Sequence, residues 1–245
     1  MYKNYVFDLY GTLIDIRTDE DSAMLWDKMA QIYSSLGARY TADELKYEFR
    51  RLEDKQKKKL RGRSKKKYIE PNLTLTFKEL FLQKDVKCSD KQARIMAITF
   101  RTISRDFFKV YDGVYEFLED LKKAKRKVYL LSNAQSDFTR PEIEMLGLTK
   151  YFDGIFISSE QGVCKPSRDF FEKLLKTYKL DPKKSVIIGN DPASDIAGAN
   201  AVGMDSLYIH TEISPQDYED KIRATYSIMD GNFNMVRALI FDGNK

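Results

Sequence analysis

Asp8 closes the first apolar run of the chain, Tyr5-Val6-Phe7, and Gly11-Thr12 follows at once. Such a run reads as a buried strand, and open α/β sheets bind ligands at the carboxyl ends of their strands. A carboxylate there can act as a nucleophile or ligate a cation. The alternative is a turn aspartate beside a flexible glycine. Three later segments offer partners. Leu130-Leu131-Ser132-Asn133 presents a hydroxyl and main-chain N–H groups to an anion, or is simply a loop or helix start. Lys165, in Gly162-Val163-Cys164-Lys165-Pro166, sits at the mouth of a helix expected from near Ser167. A lysine and a helix N-terminus together favour a negative group, although a solvated surface lysine reads the same way. Val186-Ile187-Ile188-Gly189-Asn190-Asp191 brings oxygen-bearing side chains to another strand end, which suits a hard cation such as Mg²⁺. Asp195 leads the following helix and reads equally well as its N-cap.

These groups meet only if the strands that carry them lie side by side. From Asp112 onward, β-rich runs (Lys127–Leu131, Gly154–Ser158, Ser185–Ile188, Asp205–Ile209) alternate with helical patterns (Val114–Lys123, Phe138–Leu146, Arg168–Tyr178, Asp195–Ala201). That alternation implies parallel βαβ units. From about Thr18 to Lys109 the pattern is helical and charged, with Ala23, Leu25, Trp26, Met29, Ile32 and Tyr33 at spacings of three and four, and no strand is expected there. The fold expected is therefore α/β, a parallel-sheet core over 1–16 and 110–245 with an all-helical insertion over 17–109.

Composition narrows the chemistry. The chain has 245 residues, 42% hydrophobic and 32% charged, enough for a sizeable core. No apolar run approaches a membrane span, and Lys3, Asn4 and Asp8 spoil a secretory signal, so a cytoplasmic protein is expected. Cys88 and Cys164 have no metal-ligand spacing. A single histidine, His210, excludes a His-centred triad, and acid–base work falls to carboxylates, lysines and hydroxyls. The net charge of +5 is local: Lys55–Lys67 holds nine basic residues and no acid, leaving 33 basic against 37 acidic elsewhere. A solvated helix end is expected there, or a rim that draws in an anionic substrate, with Arg61, Arg63 and Lys67 as candidate contacts. Tyr68 is the only aromatic beside the tract, so the stacking surface of a single-strand nucleic-acid binder is missing and no nucleic-acid partner is expected.

Gly-Thr-Leu after Asp8, Leu-Leu-Ser-Asn, Lys-Pro and Gly-Asn-Asp-x-x-x-Asp-Ile-x-Gly-Ala, in this order, resemble the haloacid dehalogenase superfamily. The resemblance implies a Rossmann-like core with a helical cap inserted after the first motif. It implies Asp8 as nucleophile, with Ser132, Lys165, Gly11, Thr12 and Asn133 holding the substrate. It further implies Mg²⁺ on Asp8, the Tyr10 carbonyl and either Asn190 or Asp191, Asp195 orienting the site, and a small anionic substrate. Tyr10 departs from the phosphatase pattern, which has a second Asp there as general acid; metal-independent 2-haloacid dehalogenases carry Tyr. Asn190-Asp191 and Phe171 resemble the phosphatase version instead. A phenol near pKa ~10 is a poor proton donor at neutral pH, so esters with poor leaving groups would turn over slowly unless another acid substitutes. The expectation is a Mg²⁺-dependent phosphatase working through an aspartyl phosphate. The alternatives are a 2-haloacid dehalogenase or a weakly active binding protein.

Overall fold

A computed structural model describes residues 2–64, 67–216 and 223–242. Its centre is a six-stranded parallel sheet of β1 (Asn4–Phe7), β4 (Lys127–Ser132), β5 (Gly154–Ile157), β6 (Ser185–Gly189), β7 (Asp205–Ile209) and β8 (Tyr226–Ile228). The order is β5-β4-β1-β6-β7-β8, so β1 lies at the switch point where connections diverge to opposite sides. Phe7 pairs with Leu130 on one side and Ile188 on the other, which brings the ends of β1, β4 and β6 to one edge.

Strand alternation explains the two layers. Tyr5 and Phe7 face one side with Val128, Leu130, Val186 and Ile188, packed under α5 (Val114–Lys123) and α10 (Phe233–Phe241). Val6, Tyr129, Leu131 and Ile187 face the other, under α8 (Arg168–Tyr178) and α9 (Ala197–Val202). Burial on both faces is why the strands read as continuous apolar runs. No helix among the described residues is long and apolar enough to cross a membrane.

Between β1 and α5 stand, among the described residues, four helices: α1 (Ala23–Ser35), α2 (Ala42–Ser64), α3 (Leu73–Leu82) and α4 (Asp90–Ser104). They surround a core of their own that includes Trp26, Phe49, Phe77, Phe81 and Phe100. α4 shows the local logic. Ser89 and Gln92 form a capping box, and Ala93, Met96, Ala97 and Phe100 make the buried stripe. The basic tract runs along α2; Lys65, Lys66 and the side chain of Arg63 lie outside what is described.

The absence of strands expected between Thr18 and Lys109 needs correction. β2 (Ile14–Thr18) and β3 (Arg105–Val110) form an antiparallel pair, Ile14 opposite Val110, through which the chain enters and leaves the helical block. The helical pattern of Ile95–Phe108 stops at Ser104, because Arg105–Val110 finds main-chain partners in β2. β8 and α10 were also missing from the expectation.

Phe100 contacts Trp26, Phe49, Phe77 and, from the sheet domain, Phe138. Phe100→Ala is expected to cost about 3–5 kcal/mol. Urea unfolding followed by the fluorescence of Trp26, the single tryptophan, reads this directly. A loss below about 1 kcal/mol would mean the aromatic cluster is not close-packed.

Candidate active site

Asp8 is the residue after β1, and its N–H continues the ladder to the Ile188 carbonyl at 3.0 Å. Its Oδ1 lies 2.6 Å from Lys165 Nζ, and the same ammonium lies 2.6 Å from Asp195 Oδ1. All three are buried, Asp195 completely. Burial alone would lower the lysine pKa; the charges of Asp195 and Asp8 outweigh it and hold the ammonium above the ordinary lysine value. Lys165 therefore stays charged at any working pH. Asn133 fixes its main chain from both sides, accepting from Lys165 N–H (2.7 Å) and donating to its carbonyl (3.1 Å).

The Asp195 N-cap reading is corrected by the structure. The cap of the π-helical turn Pro192–Ile196 is Asp191, which accepts from Ala193 N–H (2.8 Å) and Ser194 Oγ (2.7 Å). Asp195 lies inside the turn and points back to Lys165, its other oxygen accepting from Asp191 N–H at 3.1 Å. Gly189 permits this approach, since a Cβ there would stand 2.3 Å from Asp195 Oδ2. Gly11 has a similar role: its φ is +85°, and a Cβ would lie 2.3 Å from Asn190 Nδ2.

A cleft of about 230 Å³ collects Asp8, Tyr10, Ser132, Asn133, Lys165, Asn190 and Asp191. The structure thus brings nearly every sequence-derived site residue to one place. Ser132 Oγ is buried without a hydrogen-bond partner among the described residues. Such a group costs free energy unless a ligand oxygen meets it, which is how an anion subsite looks without its anion. The Gly11 and Thr12 N–H groups donate within the turn, to Ile14 and Leu9 carbonyls. What that turn adds is the Thr12 hydroxyl, 3.4 Å from Asp8 Oδ2 and 3.3 Å from Asn190 Oδ1.

That hydroxyl links Asp8 to Asn190, and with Asp191 in the same cleft the three offer an all-oxygen donor set. Mg²⁺ keeps several waters and needs only one or two carboxylates, so the set fits it. No cluster of three or more His, Cys, Asp or Glu able to hold a metal occurs among the described residues.

Three features gave little sequence signal. The loop after β7 supplies Ile213 and Pro215 to the cleft, and its Thr211 Oγ1 donates to the Gly11 carbonyl at 2.7 Å. Its Ser214 Oγ accepts from Asn190 Nδ2 at 3.4 Å. The other two features lie where the helical block meets the sheet domain. Glu142, on α6 (Ser136–Met145), is 2% exposed and takes Arg101 Nε and Arg105 Nη1, both at 2.8 Å. Tyr10 Oη also donates to Glu142 and lies 3.1 Å from Thr139 Oγ1, whose hydroxyl can donate to it, while Arg101 lies 5.2 Å over the Tyr10 ring. Burial, then the Glu142 charge, pushes the phenol further up, so Tyr10 is tied down rather than poised to give a proton. Last is Glu70, between α2 and α3, whose carboxyl burial pushes up to about 7. Arg61 and Lys67 are exposed and line neither the cleft nor its rim as described.

Glu142→Ala would leave the buried guanidinium of Arg101 and the half-buried one of Arg105 without their carboxylate and is expected to cost about 3–5 kcal/mol. Tyr10→Phe removes one hydrogen-bond donor and is expected to cost about 1–2 kcal/mol. Chemical denaturation of the two variants checks the ranking; equal losses would contradict it.

Residues 2–203 match the family of haloacid dehalogenase-like hydrolases. Among curated relatives, the chain is 26% identical over 129 residues to the phosphoserine phosphatase of Thermus thermophilus, covering 53% of this chain and 51% of that protein. It is 26% identical over 135 residues to the glyceraldehyde 3-phosphate phosphatase of Methanothermobacter thermautotrophicus, covering 54% and 60%. The chain thus matches little more than half the length of these relatives. Among solved structures, the 2-haloacid dehalogenase of Pseudomonas syringae pv. Tomato superposes with a TM-score of 0.66 at 21% identity, covering 99% of this chain and all of that one.

Proposed function

This chain belongs to the haloacid dehalogenase-like hydrolases, and from that premise we propose that it is a Mg²⁺-dependent phosphatase acting on a small phosphorylated metabolite. The observation that carries the reading is the pairing of a lysine-held Asp8 with the partnerless buried hydroxyl of Ser132 across one small cleft. The two phosphatases among its relatives support it.

In the proposed reaction, Lys165 holds one Asp8 oxygen; the other bonds to phosphorus as the ester P–O bond breaks and the alcohol departs, and water then attacks the aspartyl phosphate to release phosphate and free Asp8. Ser132 Oγ and the Lys165 ammonium meet the phosphoryl oxygens, donors already in place before charge develops. Asn133 and Asp195 orient Lys165, one by its main chain and one by its ammonium. Mg²⁺, bound by Asp8, the Tyr10 carbonyl and Asn190 or Asp191, would neutralise the phosphoryl charge. Of these two, Asn190 has its amide oxygen on the Thr12 hydroxyl that also meets Asp8, while the Asp191 carboxylate is occupied in capping. We read the helical block between β2 and β3 as the cap that selects the substrate, in a chain placed in the cytoplasm. Tyr10 favours a second reading, a metal-independent 2-haloacid dehalogenase.

A panel of phosphate esters, acyl phosphates and 2-haloacids, each with Mg²⁺ and with chelator, separates the two. Phosphate release that needs Mg²⁺ and disappears in Asp8→Asn is expected. Halide release that ignores the chelator would replace this proposal with the dehalogenase one.

A further inference from the structure

A groove of about 640 Å³ runs between α2, α3 and the segment 159–162, a size usual for small-ligand pockets. It is closed off from the cleft by one turn of main chain, in which Ala134 N–H donates to Ser158 Oγ (2.8 Å) and Ser159 N–H to the Ala134 carbonyl (3.2 Å). On α2 the positions Leu45, Phe49, Leu52, Gln56 and Lys59 follow one alternating spacing of four and three, the stripe a helix turns toward its neighbours. Leu45, Phe49 and Leu52 enter the core around Trp26, as packing requires. Beyond Leu52 the stripe becomes polar, and Lys55, Gln56 and Lys59 line the groove where apolar residues would have closed it. The facing side of α3 adds Leu75 and Leu82, two turns apart and left 54% and 46% exposed.

The charges in the lining are unequally committed. Arg51 and Lys57, on the same helix, are paired with Glu48 (2.6 Å) and Glu53 (2.5 Å), whereas Lys55 and Lys59 have no carboxylate partner among the described residues. Lys78 is taken by Asp90 at 2.6 Å. Glu70 accepts from Gln135 Nε2 at 2.7 Å, and burial pushes its carboxyl up to about 7. With Lys78 neutralised and Glu70 protonated below that value, Lys55 and Lys59 stand against Glu79 alone. Two ammonium groups against one carboxylate leave one positive charge in surplus.

We infer that this groove is a binding site, separate from the cleft, for a single-chain aliphatic carboxylate whose head meets Lys55 and Lys59 and whose chain lies along Leu52, Leu60, Leu75 and Leu82. The inference stands apart from the phosphatase reading and does not depend on it. One carboxylate balances the surplus charge; a phosphate dianion exceeds it, and a cationic head meets two ammonium groups. The lining comes from the helical block and from the segment 159–162 of the sheet domain, so the bound ligand touches both.

The two parts of the ligand do different work. Each methylene taken from water into the groove strengthens binding about fourfold, so the chain sets the affinity. The head, at lysines that stay partly in water, adds about fivefold or less but decides which sign of charge is accepted. Lys55 and Lys59 can lay their own methylenes along the leucines and keep their ammonium groups at the rim.

Calorimetric titration of the full chain at about pH 6 tests this, with decanoate, octanoate and decyltrimethylammonium each kept below its micellar concentration. Decanoate is expected to bind saturably, one per chain, and octanoate roughly 15-fold more weakly. Decyltrimethylammonium is expected to bind the wild type far more weakly than decanoate. Lys55→Glu with Lys59→Glu is expected to reverse that preference, and the ratio of the two affinities within one variant does not depend on how much of it folds. Leu75→Asp is expected to weaken decanoate about tenfold or more. Asp8→Asn, altered in the cleft, is expected to bind decanoate as the wild type does. No saturable binding of decanoate, no dependence on chain length, or equal affinity for the cation in the wild type overturns the inference. So does a double variant that keeps the wild-type preference or binds neither ligand. A change in decanoate affinity in Asp8→Asn places the ligand in the cleft and overturns it as well.

Discussion

A single ammonium group between two carboxylates, Lys165 between Asp8 and Asp195, is the constraint from which the rest of the site follows. Three buried charges are stable together only while each keeps its partner, because an unpaired one would bear its full desolvation cost. The partners come from three separate places in the chain: the end of β1, the segment before α8 and the turn after β6. Their meeting requires the parallel order of the sheet, with β1 central. It also requires Gly189, whose missing side chain leaves room for Asp195. Asn133, clamped on the Lys165 main chain, adds the end of β4 to the same assembly.

The helical block is fastened to this assembly at two points of different chemistry. One is the buried ion cluster of Glu142 with Arg101 and Arg105, which also captures the phenol of Tyr10. The other is the neutral amide clasp of Gln135 on the segment that bears Glu70. The first holds Tyr10, two residues from Asp8, in a place where it cannot act as an acid. The second holds a carboxyl of raised pKa, Glu70, where the helical block meets the sheet domain.

The sheet and the strand-end residues were legible because they depend on short-range pattern. Val6–Phe7, Leu130–Leu131 and Val186–Ile188 are apolar runs, each closed by a polar group, and α5, α8 and β7 have the bounds that periodicity gives. β3 was missed because Arg105–Val110 continues a helical apolar spacing and becomes a strand only by pairing with β2, some ninety residues earlier in the chain. Asp195 carried two readings, an N-cap and an orienting group, because aspartate before a helix usually caps it; in the structure Asp191 caps and Asp195 faces a lysine thirty residues away. Glu142 and Glu70 carry no local signature at all. Their roles depend on burial, which the tertiary contacts of α6 and of the α2–α3 connection create.

The central claim is that Lys165 holds one oxygen of Asp8 so that the other can bond to phosphorus. A crystal structure grown with Mg²⁺ and beryllium fluoride, which mimics an aspartyl phosphate, tests it most directly. The account expects beryllium bonded to an Asp8 oxygen, with its fluorines within hydrogen-bond distance of Ser132 Oγ and Lys165 Nζ. Beryllium fluoride bound elsewhere, with no bond to either Asp8 oxygen, would contradict it.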